Sequence, residues 1–422
     1  MQLLRMLNYI IIIVFVLCYS YQLFYIPISI FAKKKKCNID IKKNNFAVLI
    51  CARNEEVVIC DLINSIKKQT YDKNKIKIFV LADNCTDNTA EISRQAGAIV
   101  YERFNTALIG KGYALQELMN YIKEDYPGVF DGYFVFDADN ILANDYIEQM
   151  NLTFCEQNDI VTGYRNSKNY GDNWISAGYG LWFLRESKYL NKARYLLGTS
   201  CAVSGTGFLF SKKVANELNG WPFHTLTEDI EFSVNQILNG YKIAFCEKAE
   251  LFDEQPTLFS QSWNQRLRWS RGSLQVFGKY GTKLIKGILC GKFSCFDISM
   301  STMPAFFLSI LSLICSISLV TVEIINGLSI TNTLSEIGFL IWNIYSSFFF
   351  MGLITTVTEW KRIHTLAVRK LLFCLTFPIF MFTYVPISFV SIFYKTDWKP
   401  IRHTVSIDKI NKNNKSNLLK IK

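Results

Sequence analysis

Two carboxylates, Asp137 and Asp139, close the apolar run Phe134-Val135-Phe136. Positions i and i+2 of a strand share a face. Placed where the strand leaves its sheet, such a pair can turn toward one hard cation. Mg2+ or Mn2+ held there would neutralise a diphosphate and stabilise its departure as a leaving group. An Asp-x-Asp alone is equally a loop of solvated acids. Its place after a buried strand favours the ion site. A second cluster, Thr227-Glu228-Asp229, precedes an amphipathic stretch. It reads as a helix cap with acids in the first turn. It reads also as a rigidly held carboxylate, Asp229 with Glu228 beside it, that takes the proton from an attacking hydroxyl. Both readings can hold together.

A third cluster is Gln265-Arg266-Leu267-Arg268-Trp269. Arg binds phosphate through two parallel hydrogen bonds, Trp stacks on apolar sugar faces and Gln bonds hydroxyls. The same residues would equally make an interfacial helix with snorkelling Arg and a Trp belt. Three further signals follow strands or open helices. Arg53-Asn54-Glu55 and Asp83-Asn84 stand where a base and ribose would bind, though Asp83 to Asp87 is equally an Asx-rich turn. Lys111, between Gly110 and Gly112, opens a helix and could meet phosphate. Ser204-Gly205-Thr206-Gly207 is a Gly-rich turn without P-loop spacing.

The elements that must carry these residues alternate. Strand-like runs at 45–52, 75–83, 98–103 and 132–139 are separated by helical periodicity at 55–69, 88–96 and 112–125. Such alternation implies an α/β domain with a mostly parallel sheet, which binds ligands beyond the carboxyl ends of its strands. Of the 422 residues, 50% are hydrophobic, and the excess collects at the two ends. Residues 7–31 are uncharged and long enough for a bilayer core of about 30 Å. Lys33 to Lys36 follow, with no small-residue cleavage site, so an uncleaved anchor with an outside N-terminus is expected. Residues 296–325 and 334–358 are membrane-length. The run 371–394, broken by Pro378 and Pro386, is expected to enter and return, which leaves both basic flanks cytoplasmic.

The net charge of +11 lies largely beside apolar runs, as expected of flanks that face anionic lipid rather than nucleic acid. Twelve scattered Cys without a CxxC pair read as reduced thiols, and three His exclude a His-based zinc site or a Ser-His-Asp triad.

Taken in order, Asp137-Ala138-Asp139, Thr227-Glu228-Asp229 and Gln265 to Trp269 before membrane helices resemble the family-2 membrane glycosyltransferases, which include cellulose, hyaluronan and poly-N-acetylglucosamine synthases. The resemblance covers about residues 1–400. It implies a GT-A-type cytoplasmic domain and a metal-dependent, inverting hexosyltransferase or N-acetylhexosaminyltransferase that uses a UDP-sugar. By position, Arg53, Asn54, Glu55, Asp83, Lys111 and Asp137 would hold the donor. Asp139, with Asp137, would hold Mg2+ or Mn2+, and Asp229 would be the base. Gln265, Arg268, Trp269, Gly205 and Thr206 would meet diphosphate and acceptor. Residues 396–404 look like the gating segment that covers nucleotide in these synthases.

The expected organisation is an anchor at 1–36, a catalytic domain at 37–280 ending in an interfacial helix, a membrane region at 281–395 and a basic cytoplasmic tail at 396–422. The expected place is the cell membrane, as a multi-pass protein. Partners are then the UDP-sugar, membrane lipids, a growing polysaccharide or alternatively a lipid acceptor, accessory subunits of unstated kind, and no nucleic acid. A transporter fits less well, because its polar groups would lie at mid-membrane.

Overall fold

The computed structural model describes residues 2–33, 40–302, 304–327, 329–394 and 403. Lys34 to Lys36, the tail and all of the gating-like stretch except His403 lie outside the described residues.

The chain opens with α1 (Gln2–Tyr19) and α2 (Tyr21–Phe31). The α/β domain then runs β1 (Phe46–Ala52), α3 (Ile59–Lys67), β2 (Ile76–Asp83), α4 (Thr89–Gln95), β3 (Ile99–Arg103), α5 (Lys111–Asp125) and β4 (Gly132–Asp137). It continues through β5 (Ile141–Leu142), α6 (Tyr146–Cys155), β6 (Ile160–Ser167), α7 (Trp174–Arg185), a π turn (Glu186–Asn191) and α8 (Lys192–Leu196). It closes with β7 (Phe208–Ser211), α9 (Lys212–Leu218), α10 (Glu228–Leu238), β8 (Ile243–Asp253) and the long α11 (Phe259–Leu289). After these come α12 (Phe293–Thr302), α13 (Pro304–Ile325), α14 (Thr331–Thr358), α15 (Ala367–Phe382) and α16 (Tyr384–Phe393).

The sheet has the order β3-β2-β1-β4-β7-β6-β8-β5. β3, β2, β1 and β4 are parallel, as the alternation predicts, and β6 and β8 are parallel to each other. β7 runs antiparallel between the two groups. The apolar run of β1 has both faces covered, as parallel strands require. Ala47 and Leu49 enter a core with α5, while Phe46, Val48 and Ile50 enter another with α3. Helix α3 buries Ile59, Leu62, Ile63 and Ile66, one face at helical spacing.

Register sets the site. Ala52 pairs with Ala82, and Cys51 pairs with Asp137. Arg53, Asp83 and Asp137 therefore leave the sheet along one edge. Because β7 is antiparallel to β4, the turn before it reaches the same edge, and Gly207 N donates to Val135 O at 2.9 Å.

Among the described residues, four apolar stretches are long enough to cross a membrane: Gln2–Phe31, Phe307–Ile325, Thr331–Thr358 and Ala367–Phe393. The expected single span over 296–325 is corrected, since its first residues belong to the separate helix α12. Asp297 on α12 is buried and takes two bonds from Arg194 (2.7 and 2.8 Å), one from Tyr21 (2.7 Å) and one from Tyr25 (2.9 Å). A carboxylate so paired locks α12 and α2 against the domain rather than entering lipid.

Candidate active site

The two aspartates at the end of β4 face different surroundings. Asp137 is part-exposed and ion-pairs with the Lys111 ammonium, which also donates to Gly205 O at 2.7 Å. Asp139 is buried. One of its oxygens takes Glu254 N at 2.7 Å and the other the Asn140 amide at 3.3 Å. Burial alone would raise its pKa, but His403, Lys168 and the Glu254 N–H outweigh that and hold it below the usual range.

Glu228 and Asp229 begin α10. Thr227 does not act as the expected cap, because its side chain makes no cap bond. α11 instead packs on it so closely that a Cβ on Gly272 would lie 2.5 Å from Thr227 Cγ2 and Oγ1. Glu228 is pushed up to about 7 by burial first and then by the Asp229 charge, against the pull of Lys111 and Arg268. Asp229 is raised by burial, with Lys111 and Arg268 again opposing. Lys111, by contrast, is raised despite burial, because Asp137 and Glu228 surround it.

Gly205 closes the constellation. With φ +77° it occupies backbone space that favours glycine. A Cβ there would sit 3.7 Å from Asp229 Oδ2 and 3.9 Å from Asp137 Oδ2. Asp137 and Asp229 thus both approach Gly205. Thr206, expected near the acceptor, is turned away. Its buried hydroxyl accepts Asp137 N at 2.9 Å and contacts Asn140, so it supports Asp137 rather than facing substrate.

Asp83 is buried against Arg103, at 2.6 Å, with Asn84 on the same oxygen. Arg53 lies near enough to act on its charge. Asn54, at φ 58°, accepts Thr86 N at 2.8 Å and shapes the turn after β1. Both Glu55 oxygens meet His403 Nδ1, at 3.0 and 2.9 Å. Burial would lower that imidazole, yet Asp139 and Glu55 push it up to about 10.

Gln265, Arg268 and Trp269 all lie on α11, and Arg268 stands nearest the carboxylates. Arg268 acts on both Glu228 and Asp229. Trp269 meets Tyr179 edge-on at 5.8 Å, and Gln265 Oε1 is buried without a hydrogen-bond partner. Sequence reasoning missed a layer beneath Asp139. Arg165 pairs with Asp253 at 2.5 Å and donates to Ser204 O at 2.8 Å, while Lys168 Nζ is buried without a hydrogen-bond partner among the described residues. Arg165 and Lys168 stand at the carboxyl end of β6 and Asp253 at that of β8, the place already read as functional in β1, β2 and β4, so strand ends were the signal.

Residues 44–272, more than half of the chain, match the profile of the glycosyltransferase like family 2. The chain belongs to that family. Among its relatives, the β-monoglucosyldiacylglycerol synthase of Synechocystis is 24% identical over 239 residues, which are 55% of this chain and 48% of that protein. The cellulose synthase catalytic subunit (UDP-forming) of Pseudomonas fluorescens is 24% identical over 272 residues, 60% of this chain and 34% of that one. The chain thus spans about half the length, or less, of these curated relatives.

In fold, a mannosyltransferase of Pyrobaculum calidifontis in complex with GDP-Man and Mn2+ superposes with a TM-score of 0.59 at 14% identity, over 92% of this chain and 99% of that one. The α/β domain of this family-2 glycosyltransferase therefore has the expected GT-A fold.

Proposed function

We propose that this family-2 glycosyltransferase moves a sugar, with inversion, from a nucleoside diphosphate sugar to a hydroxyl presented at the membrane face where its catalytic domain lies. The observation that carries this is the convergence on Gly205 of Asp137, at the end of β4, and Asp229, at the start of α10. The first is suited to the leaving diphosphate and the second to the incoming alcohol.

The donor follows from the sheet edge. Asp83 and Arg53-Asn54-Glu55 would hold the nucleoside, and Lys111 and Arg268 would take phosphate charge. UDP is the expected nucleotide, since the UDP-forming cellulose synthase subunit is a relative.

The residues suit Mg2+ or Mn2+. Asp137 and Asp139 would supply the hard oxygens, and no group of three or more His, Cys, Asp or Glu among the described residues is placed to hold an ion by itself. An ion held by few side chains leaves positions for diphosphate oxygens and water. When bound, it supplies charge neutralisation to the leaving group. The chain's own residues do the rest. Asp229 takes the acceptor proton, and Glu228 keeps the pocket acidic around it. Lys111 and Arg268 hold the anion, and Trp269 offers a ring to a sugar face.

The attacking hydroxyl displaces the diphosphate from the opposite face of the anomeric carbon. Its proton passes to the Asp229 carboxylate, and nucleoside diphosphate departs. A growing polysaccharide is one acceptor reading, supported by the Gln265 to Trp269 helix and the cellulose synthase relative. A membrane lipid is the other, supported by the glycolipid synthase relative.

The test incubates the purified full chain with Mn2+ and single UDP-sugars, measures UDP release and sizes the product. Release from at least one donor into a polymer or a glycolipid is expected. No release from any nucleotide sugar, with lipids present, would overturn the reading.

A further inference from the structure

A buried guanidinium normally has a carboxylate, because an isolated charge costs several kcal/mol to remove from water. Arg194 follows this rule with Asp297. Arg185 and Arg266 do not. Arg185, at the end of α7, is 8% exposed, and among the described residues it bonds only the amide oxygen of Gln22 on α2, at 2.7 Å. Its guanidinium lies over Trp182 at 5.2 Å. Burial pulls its pKa down to about 10. The adjacent acid, Glu186, opposes that shift through its charge but makes its hydrogen bond with the Ser204 hydroxyl rather than with Arg185.

Arg266, on α11, is fully buried. It reaches Ser262 O at 3.3 Å on its own helix and, at the α15–α16 corner, Phe380 O at 3.2 Å and Thr383 Oγ1 at 2.5 Å, and among the described residues it meets no carboxylate and its Nη2 has no hydrogen-bond partner. The two cations share one aromatic neighbourhood. Arg266 lies 4.9 Å from the Tyr384 ring centroid, and Tyr384 lies 6.4 Å from the Trp182 ring over which Arg185 sits.

The place lies beside an exposed apolar surface of membrane length. Leu23 and Phe24, next to Gln22, are 64% and 70% exposed, on an apolar stretch of membrane length. The abundant anion at such a boundary is a lipid phosphate, and its oxygens match the guanidinium fork.

We propose that Arg185, with the Arg266 charge behind Tyr384, holds the phosphate of an anionic membrane lipid between α2, α7 and α16. The site is joined to the cleft through neighbouring residues of the chain. Glu186 follows Arg185 and contacts Ser204, and the next residue, Gly205, faces Asp229. This deepens the lipid-acceptor reading of the proposed function, but its test needs no sugar transfer.

The full chain is placed in phosphatidylcholine discs with and without phosphatidylglycerol, and its thermal midpoint and the lipids it retains in native mass spectrometry are measured. Phosphatidylglycerol is expected to raise the midpoint and to stay bound to the wild-type chain. In Arg185→Gln both effects should be lost, whereas Arg185→Lys should keep a reduced part and Lys283→Gln, an exposed cation on α11, should keep both. Failure of the wild-type chain to retain phosphatidylglycerol over phosphatidylcholine would overturn the proposal whatever the variants do. An equal midpoint rise from inorganic phosphate in detergent would overturn it too, by showing a free-anion site. Equal losses in Lys283→Gln would reduce it to general surface charge.

Discussion

At the scale of residues, the cleft separates two kinds of acid. Asp139 is held ionised by cations and a backbone N–H, whereas Glu228 is raised by burial and then by the Asp229 charge, and Asp229 by burial. A base that must be ionised loses activity as pH falls through its raised pKa. The acid limb of kcat/KM should therefore lie above the ordinary carboxylate range of about 4. A limb at or below that range would show that neither raised carboxylate is required. The same shift has a stability consequence. The folded Glu228 pKa of about 7 lies above the ordinary 4.5, so its protonated form favours folding. Ionisation then destabilises the fold increasingly between those values, and the penalty is constant above them. Glu228→Gln should match wild-type stability at the acid end and exceed it at neutral pH, in thermal melts across that range. A gain independent of pH would mean that the charge is not the cause.

At the scale of elements, the site depends on α11 being clamped to the turn before α10. Gly272 leaves room for Thr227, and Gln275 accepts the Leu226 N–H at 3.0 Å. Gly272→Val should push the Arg268–Trp269 segment off the carboxylates and lower kcat at least tenfold, about 1.4 kcal/mol in barrier, as measured by UDP release. Wild-type kcat would show that the clamp is not needed. The junction of α2, α8 and α12 is a stability element. Asp297→Ala leaves Arg194 buried without its acid and should cost about 3–5 kcal/mol in denaturant unfolding.

Much of this scale was legible beforehand. Strands β1, β2 and β4 are continuous apolar runs ending in polar clusters, so both their existence and their functional edge could be read. The sequence did not show that α12 leaves the apolar run 296–325, because only the distant Arg194 explains a buried Asp297. Nor did it show Thr206 turned inward, since a hydroxyl in a Gly-rich turn looks the same whether it meets substrate or the Asp137 backbone. His403 at Glu55 is a contact between residues 348 apart, which no local pattern encodes.

At the scale of the whole molecule, the catalytic domain grips both ends of the last apolar stretch. At its start, Arg369 donates to Gly171 O at 2.9 Å, and at its end Arg271 donates to Ser391 O and Ile392 O at 3.2 Å. His403 then reaches Glu55 within the site. The C-terminus should therefore lie on the same membrane face as the catalytic domain, and the N-terminus on the other. Protease access to terminal tags in sealed vesicles checks this, and a C-terminal tag protected on the opposite face from the domain would refute it.

The most direct measurement for the account is a paired assay on Asp229→Asn, with UDP-sugar binding by calorimetry in the presence of Mn2+ and UDP release under the same conditions. Because the substitution removes the proton acceptor and leaves Asp137, Asp139 and Lys111 in place, binding should stay near the wild-type value. Turnover should fall by a factor on the order of 100 or more. Near-normal turnover with normal binding would contradict the assignment of Asp229 as the base.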